Sequence, residues 1–457
     1  MKPLNSSFRD PSGYIFNNND KFYRVVNNSY KENLDHLEDS GLYDKLLESK
    51  KVIPYEQVLN TSLDSDKDVY KVIIPEQLGF VSYPYEWCFS QLKDAALLTL
   101  DIQRESLKYD MSLKDTSAYN VQFHRGLPVM IDTLSFEKYS EGDPWVAYKQ
   151  FCQHFLAPLA LASYVDIKSI KLLQLYIDGI PLDYAIKQLP VRFIAKFSIF
   201  IHLYLHAKAQ NSNANNFKIR KNNVSKVAML GLISSLRSAI DSLKWAPVGT
   251  EWGEYYQATN YSTSSMSKKH QVIDEIIFSL SPSVLWDIGG NNGEFTRIAS
   301  NKGIDSILFD IDYASIEKSY RKSKKEKERN LASFVMDFTN PSPSIGWNNK
   351  ERLSIFNRKP ADMVLALALI HHLCISNNLP FNFVMEFFAR ITSKYLVIEF
   401  VPKSDSQVKR LLKTREDIFI NYNQNNFENN FMNLFNIIKT IKVDDSERVI
   451  YLMEKKI

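Results

Sequence analysis

The stretch VLWDIGGNNGEF, residues 284–295, runs three apolar residues into Asp287 and then places Gly289, Gly290 and Gly293 within five positions. The chain holds only 14 glycines in 457 residues, well under the roughly 7% usual in globular proteins. Three of them together mark a turn that brings the backbone close to something, because glycine has no Cβ to stand in the way. Two acids follow at intervals of about one strand–helix unit, Asp310 in LFDID and Asp337 in FVMDF. An acid closing a second strand can accept hydrogen bonds from both hydroxyls of a ribose, and one closing a third lies within reach of an adenine amino group. Asp312 is the weaker candidate in the same stretch, since Asp310 directly follows the apolar run. The dinucleotide fingerprint G-x-G-x-x-G is not met: Asn291 stands where its second glycine belongs.

The elements that must carry these residues are legible after Pro282. Apolar runs recur at Val284–Trp286, Ile307–Phe309, Phe334–Met336, Met363–Ala368 and Leu396–Ile398, with helix-length segments between them. Such runs separated by helices predict parallel strands buried on both faces, a doubly wound α/β sheet. NIIKTIKV and RVIYLMEK, divided only by DDSE, predict a terminal antiparallel hairpin and a total of seven strands. Ligands of open α/β sheets bind beyond the carboxyl ends of the strands, where the glycine turn falls.

The series Asp287-x-Gly289-x-Asn291-x-Gly293, Asp310, Asp337, ALALIHHL and VIEFVPKSD resembles the class I S-adenosylmethionine-dependent methyltransferases over roughly Glu251 to Ile457. The departure is Asn291, where most of that family carries glycine; asparagine tolerates positive φ better than most residues. The resemblance implies a Rossmann-like seven-stranded sheet binding S-adenosyl-L-methionine. Gly289, Asn291 and Gly293 would line the methionine end, Asp287 would order the loop, Asp310 would hold the ribose and Asp337 the adenine. Tyr256 and Tyr261, in EWGEYYQATNY, are lid residues on this reading, or simply packed aromatics. A hydroxyl acceptor would need a base: His371 or His372 after strand four, or Glu399 after strand five. The histidine pair reads equally as a cap or as packing. The basic run EKSYRKSKKEKER reads as a solvated helix face.

The first half carries a second constellation. Asp115 is followed after four residues by Asn120, then by a short predicted hairpin and an apolar strand leading to Asp132. LKDAALLTLDIQRESLKYD has helical period before it, and GYIFNNNDKFYRVV predicts a hairpin upstream. This order resembles the protein kinases, in which such an Asp orients a hydroxyl while the Asn and the second Asp hold Mg²⁺. On that resemblance Asp115 would be the base, Asn120 and Asp132 metal ligands, Arg24 the strand cation, and Mg-ATP a second cofactor. There is no G-x-G-x-x-G loop, LKD stands for H-R-D and DTL for D-F-G. The plainer alternative makes the three residues turn caps of a hairpin.

The composition is globular, with 45% hydrophobic and 24% charged residues and a net charge of +4. That gives no bulk signal for nucleic acid or a membrane surface. The three cysteines, Cys88, Cys152 and Cys374, form no CxxC pair, which argues against disulfides or zinc and for a reducing compartment. The N-terminus lacks a signal-peptide core, and the longest apolar runs are too short to span a bilayer. The expectation is a cytoplasmic enzyme with an α+β N-terminal domain, kinase-like, over 1–209, a linker and helical connector over 210–250, and the methyltransferase domain over 251–457. The whole chain, including YPYEW and GDPWVAYKQFCQHFLAPLAL, also resembles bacterial proteins labelled class I methyltransferases, some with nodulation-protein names. That implies methyl transfer to a glycan or small-molecule acceptor. A bifunctional kinase–methyltransferase and a non-catalytic cofactor-binding scaffold are the alternatives.

Overall fold

The computed structural model describes residues 3–59, 67–194, 196–208, 224–249, 263–413, 415–443 and 445–456. The chain divides into two compact units, Met1–Trp245 with Ser344–Arg352, and Ala246–Pro343 with Leu353–Ile457. Among the described residues no helix is long and apolar enough to cross a membrane.

The second unit is built on a seven-stranded sheet. Its strands are β9 (Val284–Ile288), β10 (Asp305–Asp310), β11 (Leu331–Val335), β12 (Ala361–Ala366), β13 (Thr392–Phe400), β14 (Phe435–Lys442) and β15 (Val449–Lys455), in the order β11-β10-β9-β12-β13-β15-β14. Strands β9 to β13 are parallel and β15 is antiparallel to both neighbours. The doubly wound sheet closing on an antiparallel hairpin, expected from the apolar runs, is therefore present. The central strands are buried along nearly their whole length, as a sheet covered on both faces requires. Strand β14 is the exposed edge and carries Lys439 and Lys442, charges that discourage pairing with a further chain. The helix Thr263–Leu280 covers one face. Its Val272, Ile273, Ile276 and Ile277, at helical spacing, pack with Leu285, Leu365 and Val397 of the sheet. Burying each such side chain contributes about 1.5–3 kcal/mol.

Register positions the ligand end of the sheet. Asp287 of β9 is aligned with Leu308 of β10 and with Leu365 of β12. The central strands thus finish level, and the loops leaving them converge at one edge. The order reverses between β9 and β12, the switch point at which such sheets bind ligands.

The first unit opens with an antiparallel sheet, β1-β2-β4-β3, made of β1 (Gly13–Asn18), β2 (Lys21–Asn27), β3 (Tyr55–Gln57) and β4 (Val69–Pro75). The long helix Phe89–Ser106 follows. After it, β5 (Met111–Leu113) pairs with β8 (Phe136–Lys138), and the hairpin of β6 (Val121–His124) and β7 (Leu127–Met130) lies between them in sequence. The hairpin GYIFNNNDKFYRVV and the helix expected before Asp115 are both formed. Within the expected 210–250 connector, Lys226–Ser242 is a helix of this unit, capped by the Ser225 side chain. The segment Ser344–Arg352 completes the unit: Glu351 accepts from Arg9 at 3.0 Å, and the Arg352 guanidinium lies 4.3 Å from the centre of the Tyr119 ring.

Candidate active site

The turn after β9 shows what its residue types are for. Gly289 has φ +72 and Asn291 φ +53, so both occupy the left-handed region, which glycine enters freely and asparagine more readily than most. The Gly289 amide donates to Phe309 O at 2.8 Å and ties the turn to β10. Asn291 Oδ1 accepts from the Asn292 amide at 2.9 Å. A Cβ on Gly290 would come within 2.5 Å of the Asp287 carboxylate and 2.6 Å of Leu308 Cδ1, so no other residue fits there unchanged. Asp287 Oδ2 accepts from Thr296 Oγ1 at 2.6 Å, which pins the turn to the helix that follows.

Asp310 closes β10 and is nearly shut from solvent. One carboxylate oxygen accepts the Asn291 amide at 2.8 Å and the other the Asp312 amide at 2.8 Å. The glycine turn and the acid are thereby fixed to one another. Burial pushes the Asp310 carboxyl up to about 7 and Asp287 up to about 6. Asp337, two residues past β11, accepts the amide and hydroxyl of Thr339 at 2.8 and 2.6 Å. Asp312 turns away and caps the helix Tyr313–Glu326 through the amides of Ala314 and Ser315.

These groups share a cavity of about 300 Å³ over the ends of the parallel strands. Asp287, Gly289, Asn291, Asp310 and Asp337 all line it. Ile311, 54% exposed, presents a branched apolar side chain on its wall. Opposite Gly289, Leu369 Cδ1 lies 3.1 Å from where a Cβ would project. The volume is at the small end for ligand pockets.

No protein-family model matches the sequence. The nodulation protein NoeA of Rhizobium meliloti (strain 1021) is 32% identical over 459 residues, spanning 98% of this chain and 95% of that one. The chain belongs to the NoeA family of nodulation proteins. Solved structures similar to part of it include the N-methyltransferase NodS from Bradyrhizobium japonicum WM9 in complex with S-adenosyl-L-homocysteine. It is 11% identical, covers 45% of this chain and 97% of that one, and has a TM-score of 0.32. The magnesium protoporphyrin IX methyltransferase ChlM from Synechocystis PCC 6803, with bound S-adenosyl-L-homocysteine, is 13% identical over 45% of this chain and 93% of that one, with a TM-score of 0.32.

Several expected residues of this NoeA-family chain fall elsewhere. Gly293, at φ +85, lies off the cavity and faces Arg297 and Leu308, where its missing Cβ admits the guanidinium. Glu399 is not placed to act as a base. It is fully buried, pairs with Lys269 Nζ at 2.6 Å and accepts the Ala368 amide at 2.7 Å. That second bond holds Ala368 at φ +51, a conformation costly for alanine. Of the histidine pair, only His372 lines the cavity; burial and the nearby Arg448 charge hold its pKa down to about 4, so it is neutral at pH 7. His371 is buried behind it with Nδ1 unpartnered, and burial keeps it neutral too. Tyr256 and Tyr261 lie outside the described residues. Sequence reasoning missed Lys269 and Ile311. Lys269 lines the cavity at 2% exposure, its charge beside the glycine turn.

In the N-terminal unit the structure does gather Asp115, Asn120 and Asp132, but into a closed network. One oxygen of Asp132 is taken by Arg24 and the other by Ser135 Oγ at 2.5 Å. Asn120 Nδ2 donates to the same Ser135 at 3.0 Å. Asp115 accepts the Ser117 amide at 2.8 Å, and burial raises its pKa. Asn120 and Asp132 therefore do not present the open pair of oxygens that Mg²⁺ needs. Among the described residues no group of three or more His, Cys, Asp or Glu could hold a metal ion.

Proposed function

We propose that this chain is an S-adenosylmethionine-dependent methyltransferase acting on a hydroxyl of a glycan or small-molecule acceptor. One observation carries the reading: Asp310, anchored by the Asn291 and Asp312 amides, stands in the same cavity as the Gly289–Asn291 turn and Asp337. On this reading Asp310 is the ribose acceptor, the turn gives the close backbone approach, and Asp337 is the adenine acceptor of a methionyl nucleoside.

The residues present fit that cofactor, which when bound supplies a methyl group already activated on a sulfonium. Asp310 would accept the ribose hydroxyls, and charge-assisted bonds of this kind contribute about 1.5–3 kcal/mol each. Asp337 would accept the adenine amine while Ile311 covers the ring. Lys269, backed by Glu399, would pair with the carboxylate of the methionine moiety. His372, neutral and on the cavity wall, would take the acceptor's proton on a ring nitrogen as the hydroxyl oxygen attacks. Orientation by the cavity walls supplies most of what an in-line displacement needs. Three buried cysteines that form no disulfide agree with a cytoplasmic site of action.

The chain order of the first unit supports a second element of the proposal. Strands β5 and β8 bracket the hairpin and bring Asp115, Asn120 and Asp132 together, the arrangement a kinase-like domain would give. The Arg24–Asp132 pair opposes phosphotransfer, so we read this unit as an accessory, kinase-like frame and not as a Mg-ATP enzyme.

Calorimetric titration with S-adenosylmethionine tests the reading. One-to-one binding that Asp310→Ala weakens at least tenfold supports it, whereas no binding by the wild-type chain defeats it. Binding without turnover on any acceptor would favour the scaffold.

A further inference from the structure

A second cavity, of about 480 Å³, lies in the C-terminal unit beside the first. One short turn of chain lines both. His372, Leu373, Ser376 and Asn377 face the cofactor cavity, while Cys374 and Asn378 face the second. Five of its twelve lining residues are asparagine, against 35 of 457 in the whole chain. The enrichment is about fivefold, so the Asn-rich composition of the protein does not account for it.

Its chemistry is selective. No Asp, Glu, Lys or Arg is among the lining residues, so nothing there rewards a phosphate, a carboxylate or an ammonium. Arg415 comes near, but its guanidinium donates to Ile375 O and, at 3.2 Å, to Asn378 Oδ1. The side-chain amides of Asn382 and Asn421 have no hydrogen-bond partner among the described residues, and each offers two donors and an acceptor. Phe419, half-buried, gives one wall a ring, and Tyr422 lies deeper with its hydroxyl spent on Val401 O at 2.7 Å. Amides that both give and take, beside an aromatic face and without charge, match a ring that is apolar on its faces and hydroxylated at its rim.

We propose that this cavity, bounded by Asn382, Phe419 and Asn421, is the binding site for a neutral saccharide unit of the methyl acceptor. The proposal rests on the methyltransferase reading, because its purpose is to present a hydroxyl past the shared turn to His372. It adds to that reading the class of acceptor and where it is gripped.

The full-length protein is titrated calorimetrically with cellotetraose, tetra-N-acetylchitotetraose and the anionic tetragalacturonate, each with and without S-adenosylmethionine. The variants are Asn421→Asp, Phe419→Ala and, as a ring-retaining control, Phe419→Trp. The expected result is saturable binding of a neutral tetrasaccharide. Asn421→Asp and Phe419→Ala should lose at least tenfold while Phe419→Trp keeps it, and S-adenosylmethionine affinity should stay within twofold throughout. No neutral binding up to about 10 mM, a weakness beyond useful recognition, would overturn the proposal. So would preference for tetragalacturonate, or equal affinity in all variants. A protein that binds the saccharide but never S-adenosylmethionine defeats the methyltransferase reading and leaves the saccharide site standing.

Discussion

Lys269 Nζ lies 2.6 Å from Glu399 Oε2, with both side chains closed off from solvent apart from the ammonium's edge on the cavity. The same Glu399 oxygen holds the Ala368 amide at 2.7 Å. One carboxylate thus ties the covering helix to the ends of β12 and β13. Removing either partner leaves a buried charge uncompensated, which costs about 3–5 kcal/mol. Glu399→Ala and Lys269→Ala should each lower unfolding stability by that amount in urea titrations. The double variant Lys269→Met with Glu399→Leu should recover much of the loss. Its S-adenosylmethionine affinity should nonetheless stay low, because the carboxylate partner is gone. A fully bound, fully stable double variant would remove Lys269 from the site.

Asp310 gives a pH dependence whose sign follows from burial. Its carboxyl is raised to about 7 in the folded chain, against an ordinary value of 3.8. Between those values the native state holds a proton that the unfolded state has released, so this group makes stability fall as pH rises from about 4 to about 7. Cofactor affinity should run the other way and strengthen from pH 6 to pH 8, as the carboxylate that accepts the ribose hydroxyls forms. Asp310→Asn should flatten both curves. Thermal unfolding and calorimetry across that range measure them, and parallel slopes in wild type and variant would count against the assignment.

His372→Ala should lower kcat by about 10²–10⁴ with little change in cofactor affinity, since general-base catalysis contributes on that scale. His371→Ala should act on stability instead, because that ring faces no ligand. With the His372 pKa held to about 4, turnover should show no loss assignable to this group between pH 8 and pH 6. Steady-state rates of both variants separate the two roles, and an unchanged kcat in His372→Ala would end the base assignment.

Gly290→Ala tests the cavity-lining turn itself, since it adds one carbon to the backbone and removes no side chain of the site. The added carbon meets the Asp287 carboxylate and Leu308 at 2.5 and 2.6 Å. Overpacking of this kind costs about 1–3 kcal/mol, and cofactor binding should weaken as the turn shifts. A fluorescence melt indistinguishable from wild type would show that the turn has room the structure denies it.

Much of the second unit could be read from sequence because its strands are buried on both faces and announce themselves as apolar runs. Asp310 was legible for the same reason, since the run ends on it. Lys269 was not. It sits in a polar stretch next to Lys268, and nothing in the spacing says which lysine turns inward; its partner is 130 residues away. Glu399 was found as a strand-end acid but given the wrong work, because type and position do not reveal that a cation and an amide already occupy it. Asp115, Asn120 and Asp132 were correctly brought together by chain order. What chain order did not show is that Arg24, on a strand 108 residues earlier, pairs with Asp132.

Ser344–Arg352 belongs to the first unit while the chain on either side of it belongs to the second. No single cut therefore separates this protein into self-sufficient halves. A fragment beginning at Ala246 would carry the nine residues away from Arg9 and Tyr119, exposing a Glu351 carboxylate that is now almost wholly covered. The remaining piece would lose the two residues that Arg9 and Tyr119 hold. Limited proteolysis near Trp245 should accordingly yield fragments that stay together until denatured, and domain-swapped chimeras of this family would have to exchange two segments at once.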